Sequence, residues 1–201
     1  KDVESVLVIH RRSSGVVHPK LKEIIHEDFS DFSPIQSELA GINAAYLCMG
    51  VSAAGKNEDE YTKFTYDFTM ALARPLEAIN PDMTLCYVSG HGTDSSETGR
   101  MMWSRVKGRT ENDLMKMNFK STFMFRPGFI TPSKGLKNTL RYYKWMGPLL
   151  PLLKLFLGKF MVSLPTIGLS MIEVTQNGYD KDIINIADMK FLSTSHQTRG
   201  K

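Results

Sequence analysis

Short apolar runs bounded by polar residues or glycine recur along the chain and predict buried strands. The runs are rich in β-branched and aromatic residues and are too short for ordinary helices. Continuous runs of this kind are typical of strands that a sheet buries on both faces. The predicted strands cover residues 6–9, 21–26, 44–49, 83–89 and 122–125, with a last one at 183–186.

Apolar residues spaced three or four positions apart lie between these runs and predict amphipathic helices. In the helix expected at residues 57–79, Asn57 supplies an N-terminal cap, and Pro75 is expected to kink the helix or end it early. A shorter helix is expected to be capped by Ser33 and ended by Gly41. A third helix carries its apolar stripe at Met102, Val106, Thr110, Leu114 and Met117.

The order of these elements alternates strands with helices. Such alternation predicts a doubly wound α/β domain, in which a parallel sheet has helices on both faces and right-handed crossovers. We assign residues 1–132 to this domain. Residues 133–201 are expected to form a helical cap and C-terminal segment of the same domain.

Two uncharged runs in the C-terminal third, residues 145–153 and 160–172, call for a separate interpretation. Each is shorter than the roughly 20 residues that a membrane-spanning helix needs, and prolines interrupt both. A helical cap that packs on the sheet or lines a pocket is expected. A homodimer face or a peripheral membrane contact through residues 145–172 is the alternative.

The composition is that of an ordinary globular protein, with 42% hydrophobic and 23% charged residues. A net charge of +4, without a run of Lys or Arg longer than two, gives no support for a nucleic-acid partner. Cys48 and Cys86 lie in apolar runs and form no C-x-x-C pair, so buried reduced thiols are expected rather than a metal or redox site. No secretory signal opens the sequence, and a cytoplasmic protein is expected.

Five short motifs follow one another at regular intervals: VLVIHRR at 6–12, HEDF at 26–29, CMGV at 48–51, YVSG at 87–90 and RPG at 126–128. In this ordered set the sequence resembles an atypical member of the short-chain dehydrogenase/reductase superfamily, and in particular its small NAD(P)-binding, epimerase-like proteins. The resemblance covers about the first 132 residues. It implies a Rossmann-type sheet with a dinucleotide across the carboxyl ends of the strands.

The resemblance also implies a choice of cofactor. The strand end that meets the adenosine ribose carries Arg11 and Arg12 and no adjacent carboxylate. A guanidinium pairs well with the 2′-phosphate of NADP, whereas an acidic residue would favour NAD. NADP is therefore expected over NAD, and a solvated basic turn is the alternative role for these two arginines.

Other cofactor-binding residues are carried over from the same resemblance. Asp28 and Phe29 would border the adenine, although Asp28 in the alternative serves only its turn. Gly50 would let the backbone approach the cofactor closely. The remaining positions expected beside the cofactor are Val51, Lys107, Pro127 and Gly128.

The catalytic centre departs from the pattern of the superfamily. The resemblance implies a Ser after the fifth strand and a Tyr four residues before a Lys. Here Ser89 and Lys107 match, but Trp103 stands where the Tyr is expected. Indole donates a hydrogen bond but does not titrate usefully. Three alternatives follow: the protein binds cofactor without turnover, His91 or a bound water carries the proton, or Trp103 is a packing residue in a lineage with altered chemistry.

The usual opening strand and its glycine-rich turn are also missing before residue 6. In the strand order 3-2-1-4-5-6, that strand lies in the middle of the sheet. We therefore expect an unfilled slot between residues 6–9 and 44–49, in a fragment that lacks one βα unit of about 20–30 residues. A variant sheet that closes without the strand is the alternative.

Two classes of function remain. The first is an NADP-dependent reductase or epimerase-like enzyme acting on an unknown small-molecule substrate, which Ser89 and Lys107 favour. The second is a catalytically inactive cofactor-sensing or scaffolding protein, which Trp103 favours. Fold alone does not separate them.

Overall fold

All strand pairings in the described part of the chain are parallel, which confirms the predicted fold class. The computed structural model describes residues 3–131 and 158–199. The central sheet has the order β3-β4-β5-β8, and two-stranded sheets are formed by β1-β2 and by β6-β7. The strands are β1 Val6–His10, β2 Leu21–Ile25, β3 Ala44–Leu47, β4 Thr84–Val88, β5 Ser121–Phe125, β6 Phe129–Thr131, β7 Met161–Ser163 and β8 Ile183–Ile184.

Helices cover both faces of the central sheet. They are α1 Glu58–Thr62, α2 Phe68–Ile79, α3 Met102–Met115, α4 Leu164–Asn177 and α5 Ile186–Arg199. Alternate residues of a strand point to opposite faces, and in β4 Leu85 packs with α2 and α3 whereas Cys86 packs with α4 and α5. This two-sided burial explains the continuous apolar run of β4.

The helix predicted at residues 57–79 forms as one unit with an irregular middle. The side chain of Asn57 accepts a hydrogen bond from the Glu60 amide at 2.8 Å and caps α1 as expected. A π-helical turn at Lys63–Asp67 links α1 to α2. The helix continues past Pro75 to Ile79, so the expectation of an early end is wrong.

The shorter helix differs from the prediction. It is a 3₁₀ helix at Ser33–Leu39 that follows Phe32, and no side chain caps it. Both the amide and the hydroxyl of Ser33 instead donate to Asp31, at 2.8 and 2.9 Å. Ser33 therefore closes a turn with Asp31, and it does not cap the helix because the helix begins at Ser33 itself.

A cleft separates β1 from β3, at the place where the sequence predicts a slot. It has a volume of about 1820 Å³, and both strands line it. β1 is consequently not buried on both faces as predicted, and Val6 is 42% exposed. Among the described residues, β1 is paired on one side, with β2.

In the C-terminal part, the predicted last strand forms, and the uncharged run 160–172 contains a short strand as well as a helix. Residues 183–186 were predicted as a strand, and β8 occupies the first two of them. In the run 160–172, β7 leads into α4, which Ser163 caps by accepting from the Thr166 amide at 3.2 Å. The part of the predicted cap at residues 133–157, which includes the run 145–153, lies outside the described residues. Within residues 3–131 and 158–199, no helix is long and apolar enough to cross a membrane.

Candidate active site

A pocket of about 530 Å³ opens at the carboxyl ends of β3, β4 and β5. Parallel strands present their carboxyl ends at the same edge of a sheet, and ligands of open α/β sheets bind there. Helix α3 and the segment after β5 complete its walls. Its lining residues are Cys48, Met49, Gly50, Val88, Ser89, Gly90, His91, Trp103, Lys107, Pro127, Gly128, Phe129, Ile130 and Phe160.

The pocket adjoins the cleft beside β1. Cys48, Met49 and Gly50 line both cavities, so the two meet where β3 ends. A Cβ added at Gly50 would meet no atom within 4 Å, which leaves this junction open. An elongated ligand can therefore extend from the pocket into the cleft.

The predicted cofactor residues are divided between the two cavities. The cleft is lined by Arg11, Arg12, Phe29, Gly50 and Val51, and the pocket by Gly50, Lys107, Pro127 and Gly128. Asp28 lines neither cavity. Its carboxylate accepts from the Ser30 amide at 2.9 Å, which holds a local turn and lowers the pKa of Asp28 together with the Ser30 hydroxyl.

Glu23, which the sequence analysis did not single out, lies beside the arginine turn. Its carboxylate accepts from the hydroxyls of Ser13 and Ser14 and lies 3.2 Å from Nε2 of His10. The hydrogen bonds from Ser14 and Ser13 lower the pKa of Glu23. The turn that carries Arg11 and Arg12 is thus anchored to β2. The sequence offered one signal for this role of Glu23: it lies in the strand predicted at residues 21–26. A side chain on a strand can contact the turn that follows the neighbouring strand.

Ser89 lies at the end of β4, but its hydroxyl faces the protein interior. Oγ donates to the carboxylate of Glu111 and lies 3.1 Å from the Phe125 carbonyl oxygen. The residue is 4% exposed. The hydroxyl is therefore held by a buried acceptor, and the atom of Ser89 that contacts Lys107 is its carbonyl oxygen.

Glu111 forms a buried ion pair with Arg126 that the sequence analysis did not identify. Nε of Arg126 donates to both carboxylate oxygens, at 3.1 and 3.2 Å. The side chain of Glu111 is fully buried, and that of Arg126 is 15% exposed. The sequence offered one signal for this pair. Glu111 lies one helical turn after Lys107, next to the apolar stripe that the sequence predicts to be buried. This pair joins α3 to the end of β5.

Lys107 extends from α3 to the floor of the pocket. Its ammonium donates to the carbonyl oxygen of Ser89. Burial lowers the pKa of Lys107 to about 8, and the negative charge of Glu111 opposes part of that shift. Lys107 is therefore a more acidic ammonium than a surface lysine.

Trp103 and His91 form the outer part of the same pocket. The Trp103 ring packs on the loop at Gly92, where an added Cβ would lie 3.3 Å from it. The His91 amide donates to the Pro127 carbonyl oxygen at 2.7 Å, and its ring centroid lies 5.5 Å from that of Phe160. Trp103 thus lies one helical turn from Lys107, in the pocket that Ser89 also lines.

One prediction about the cysteines is wrong. Cys86 is buried, but Cys48 is exposed and lines both cavities. The reason is that β3 ends at Leu47, so Cys48 lies beyond the strand, at the mouth of the cleft.

Three curated proteins are similar to the chain in sequence. It is 26% identical over 143 residues to "Protein FMP52-1, mitochondrial" of Scheffersomyces stipitis, covering 68% of this chain and 62% of that protein. It is 28% identical over 150 residues to "Protein fmp52-1, mitochondrial" of Aspergillus terreus, covering 70% and 63%. The chain thus spans a little over three fifths of these relatives. No family model matches it.

These names overturn one expectation. The similar proteins from S. stipitis, Candida albicans and A. terreus are all called mitochondrial. The cytoplasmic location predicted above is therefore wrong. It rested on the lack of a secretory signal, and that observation does not distinguish the cytosol from an organelle.

Solved structures show the same fold at low sequence identity. The Bordetella bronchiseptica enzyme WbmG in complex with NAD matches with a TM-score of 0.62 and 11% identity, over 90% of this chain and 64% of that one. The UDP-N-acetylglucosamine 4-epimerase of Methanobrevibacter ruminantium M1 matches with a TM-score of 0.63 and 12% identity, over 90% and 68%. A short-chain dehydrogenase/reductase superfamily protein from Agrobacterium tumefaciens, with bound NAD, matches with a TM-score of 0.58 and 10% identity, over 89% and 69%. The chain therefore shares the Rossmann-like α/β fold of these structures.

Proposed function

We propose that this protein binds a nicotinamide dinucleotide and acts as an oxidoreductase-like or epimerase-like protein on a small substrate. The observation that carries the proposal is one continuous site: a pocket with Lys107 on its floor meets, at Gly50, a cleft lined by Arg11 and Arg12. The solved structures with this fold support the proposal, because two of those described above are complexes with NAD.

The residues present fit such a cofactor at both of its ends. Arg11 and Arg12 would hold the ribose-phosphate end through paired N–H donors. Lys107 would face the nicotinamide end, where its ammonium can donate to ribose hydroxyls, and the open Gly50 would let the backbone approach the ligand. When bound, the nicotinamide supplies or accepts a hydride.

We propose NADP rather than NAD as the cofactor. The argument is the pair of arginines on a turn that Glu23 anchors through Ser13 and Ser14. The hydroxyls of Ser13 and Ser14 are already engaged, because both donate to the carboxylate of Glu23. The guanidinium groups of Arg11 and Arg12 are therefore the groups on this turn that would bind a 2′-phosphate. Both of the NAD complexes above leave this choice open for the present chain.

Arg11→Ala is expected to weaken NADPH binding by about 1.5–3 kcal/mol, which is roughly 10- to 100-fold in Kd. NADH binding should change much less, because it lacks the 2′-phosphate. Fluorescence titration with both nucleotides measures the two effects. Arg74→Ala removes an arginine on α2 that lines neither cavity, and it serves as the control. Equal losses of NADPH and NADH in Arg11→Ala would contradict the assignment.

The alternative function is a protein that senses its cofactor or acts as a scaffold without turnover. Trp103 favours this alternative, because the indole ring beside Lys107 cannot exchange a proton near neutral pH. The pocket geometry is common to both functions. A measurement of turnover is what separates them.

Under this alternative, in which the natural pocket lacks a general acid, Trp103→Tyr is expected to raise carbonyl reduction above that of the natural protein by about 100-fold. The phenol would stand one helical turn from Lys107, at the mouth of the same pocket. Turnover of NADPH with a panel of ketones and aldehydes measures the effect. Trp103→Phe is the matched control, since it removes the indole without adding a titratable group. A natural protein that already turns over well, and that gains nothing from the tyrosine, would contradict this prediction.

We also propose a mitochondrial location, in line with the names of the three similar proteins. Fractionation of cells that express the full-length protein, followed by immunodetection in mitochondria and cytosol, tests this proposal.

A further inference from the structure

We infer that Lys107 is itself the general acid of the pocket and gives its proton to the substrate oxygen during carbonyl reduction, in place of the tyrosine that Trp103 replaces. This inference rests on the proposed function. It assigns Lys107 a chemical role in addition to contact with the cofactor. The alternatives to it within the same pocket are His91 and a bound water.

The position of Lys107 suits this role. Its ammonium has three N–H donors, and the structure assigns one of them to the Ser89 carbonyl oxygen. The neighbouring position is a glycine, and a Cβ added at Gly90 would lie 3.9 Å from Nζ. No side chain of residue 90 therefore stands beside Nζ on the pocket floor. Because this space is open, a small carbonyl compound can approach the ammonium there.

The charges around Lys107 favour an oxygen that becomes negative. Among the described residues that line the pocket, the titratable side chains are Cys48, His91 and Lys107, and none is Asp or Glu. The carboxylate of Glu111, whose charge acts on Lys107, is fully buried, and Arg126 and the Ser89 hydroxyl bind its oxygens. The ammonium is thus not paired with a carboxylate, and a carbonyl oxygen that acquires negative charge would be stabilised beside it.

Burial makes the same ammonium a stronger acid. The pKa of Lys107 is lowered to about 8, because burial disfavours the charged form more than Glu111 restores it. Most of the lysine is therefore protonated at pH 7, yet its proton is released more readily than that of a surface lysine. Efficient general acids have pKa values close to the working pH.

In the proposed step, a bound reduced nicotinamide would supply a hydride to the carbonyl carbon, and the electron pair of the C=O π bond would move to oxygen. As the new O–H bond forms, an N–H bond of Lys107 breaks and its electron pair stays on nitrogen. The products are an alcohol, the oxidised nicotinamide and a neutral amine, which regains a proton from water.

His91 is less well placed to give this proton. Its ring packs against Phe160 and is exposed at the outer wall, whereas Lys107 donates to backbone on the floor. Replacing each residue in turn, by His91→Gln and by Lys107→Arg, separates the two candidates.

Lys107→Arg tests the inference directly. Arginine keeps the positive charge and the hydrogen-bond donors but does not release a proton, so kcat should fall about 100-fold or more while the Kd for NADPH stays within about threefold. In the natural protein, kcat for carbonyl reduction should decline above pH about 8, because the protonated lysine is needed. In the direction of alcohol oxidation, kcat should rise through the same pH, and both limbs should disappear in Lys107→Arg.

A measurement that does not depend on turnover accompanies the kinetics. In protein labelled with ¹³C at the lysine Cε, the resonance that is lost in Lys107→Arg should titrate near pH 8, whereas surface lysines titrate near 10.4. A midpoint near 10.4 for Lys107 would overturn the inference. A pH-dependent limb of the rate profile that disappears in His91→Gln but persists in Lys107→Arg would also overturn it and assign the proton to His91.

The remaining outcomes separate this inference from the proposed function. If the protein binds neither NADPH nor NADH, the proposed function fails, whatever the titration of Lys107 shows. If it binds NADPH but reduces no member of the carbonyl panel, cofactor binding stands and the role of Lys107 as an acid is refuted. If Lys107→Arg retains the full kcat, only the present inference fails.

Discussion

Glu111→Gln is expected to destabilise the fold by about 3–5 kcal/mol, the largest effect on stability that we predict for a single substitution. Removal of one partner of a buried ion pair leaves the other charge without compensation in a medium of low polarity. Here the carboxylate of Glu111 is fully buried and the side chain of Arg126 is 15% exposed, so water compensates little of the loss. The Ser89 hydroxyl also loses its charged acceptor.

Urea denaturation of the natural protein and the variant measures this difference in the free energy of unfolding. Glu58→Gln is the matched control, because Glu58 pairs with Arg105 at 2.6 Å but is 48% exposed. Exposed pairs contribute about 0–1 kcal/mol, so this variant should stay close to the natural protein. Similar losses at the two sites would show that burial of the Glu111 pair has no special cost.

If Glu111→Gln alone does not fold, a double variant keeps the prediction testable. Glu111→Gln combined with Arg126→Gln removes both charges and should recover much of the lost stability. Failure of the double variant to recover any stability would show that the effect arises from packing and not from an unpaired charge.

Gly108→Ala should destabilise the protein by about 1–3 kcal/mol, although alanine is ordinarily the better helix former by about 1 kcal/mol. A Cβ at this position of α3 would overlap the carbonyl oxygen of Asp94 and lie 2.6 Å from its carbonyl carbon. The obstacle is backbone, which cannot rotate away like a flexible side chain. The loop at residues 90–100 would have to move away from α3.

Gly168→Ala provides the control for this effect. Gly168 lies within α4, and a Cβ there would meet no atom within 4 Å. Its replacement should therefore stabilise the protein by about 0.5–1 kcal/mol, through helix propensity alone. Thermal unfolding of both variants tests the contrast. Stabilisation by Gly108→Ala would contradict the close contact between α3 and the loop.

Both predictions concern the attachment of α3, the helix that carries Trp103 and Lys107. The Glu111–Arg126 pair joins α3 to the end of β5, and the contact at Gly108 joins it to the loop after β4. Loosening either attachment would shift Lys107 relative to the Ser89 carbonyl oxygen. Stability and pocket geometry are therefore coupled through one helix.

The sequence by itself determined the class of fold and the position of most elements. Within the predicted run 83–89, β4 forms a buried strand at Thr84–Val88 because the run has no polar alternation. Helix α3 buries Val106, Thr110 and Leu114 because they recur on one helical face. These signals are local, since each depends on spacing within a few turns of chain. The same local spacing brought Trp103 and Lys107 to one side of α3, and the strand order brought that side to the carboxyl edge of the sheet.

Only the tertiary structure decided which partner each polar group meets. The Ser89 hydroxyl turns inward because Glu111, 22 residues further on, offers a buried charged acceptor. Cys48 is exposed because the cleft beside β3 removes the cover that its apolar run suggested. Periodicity shows that a face is buried, but a hydrogen bond or a cavity depends on atoms that distant segments bring together. The pKa of Lys107 is lowered because the folded protein buries its ammonium. The spacing between Trp103 and Lys107 identified the residue in the sequence, but that spacing could not predict its burial.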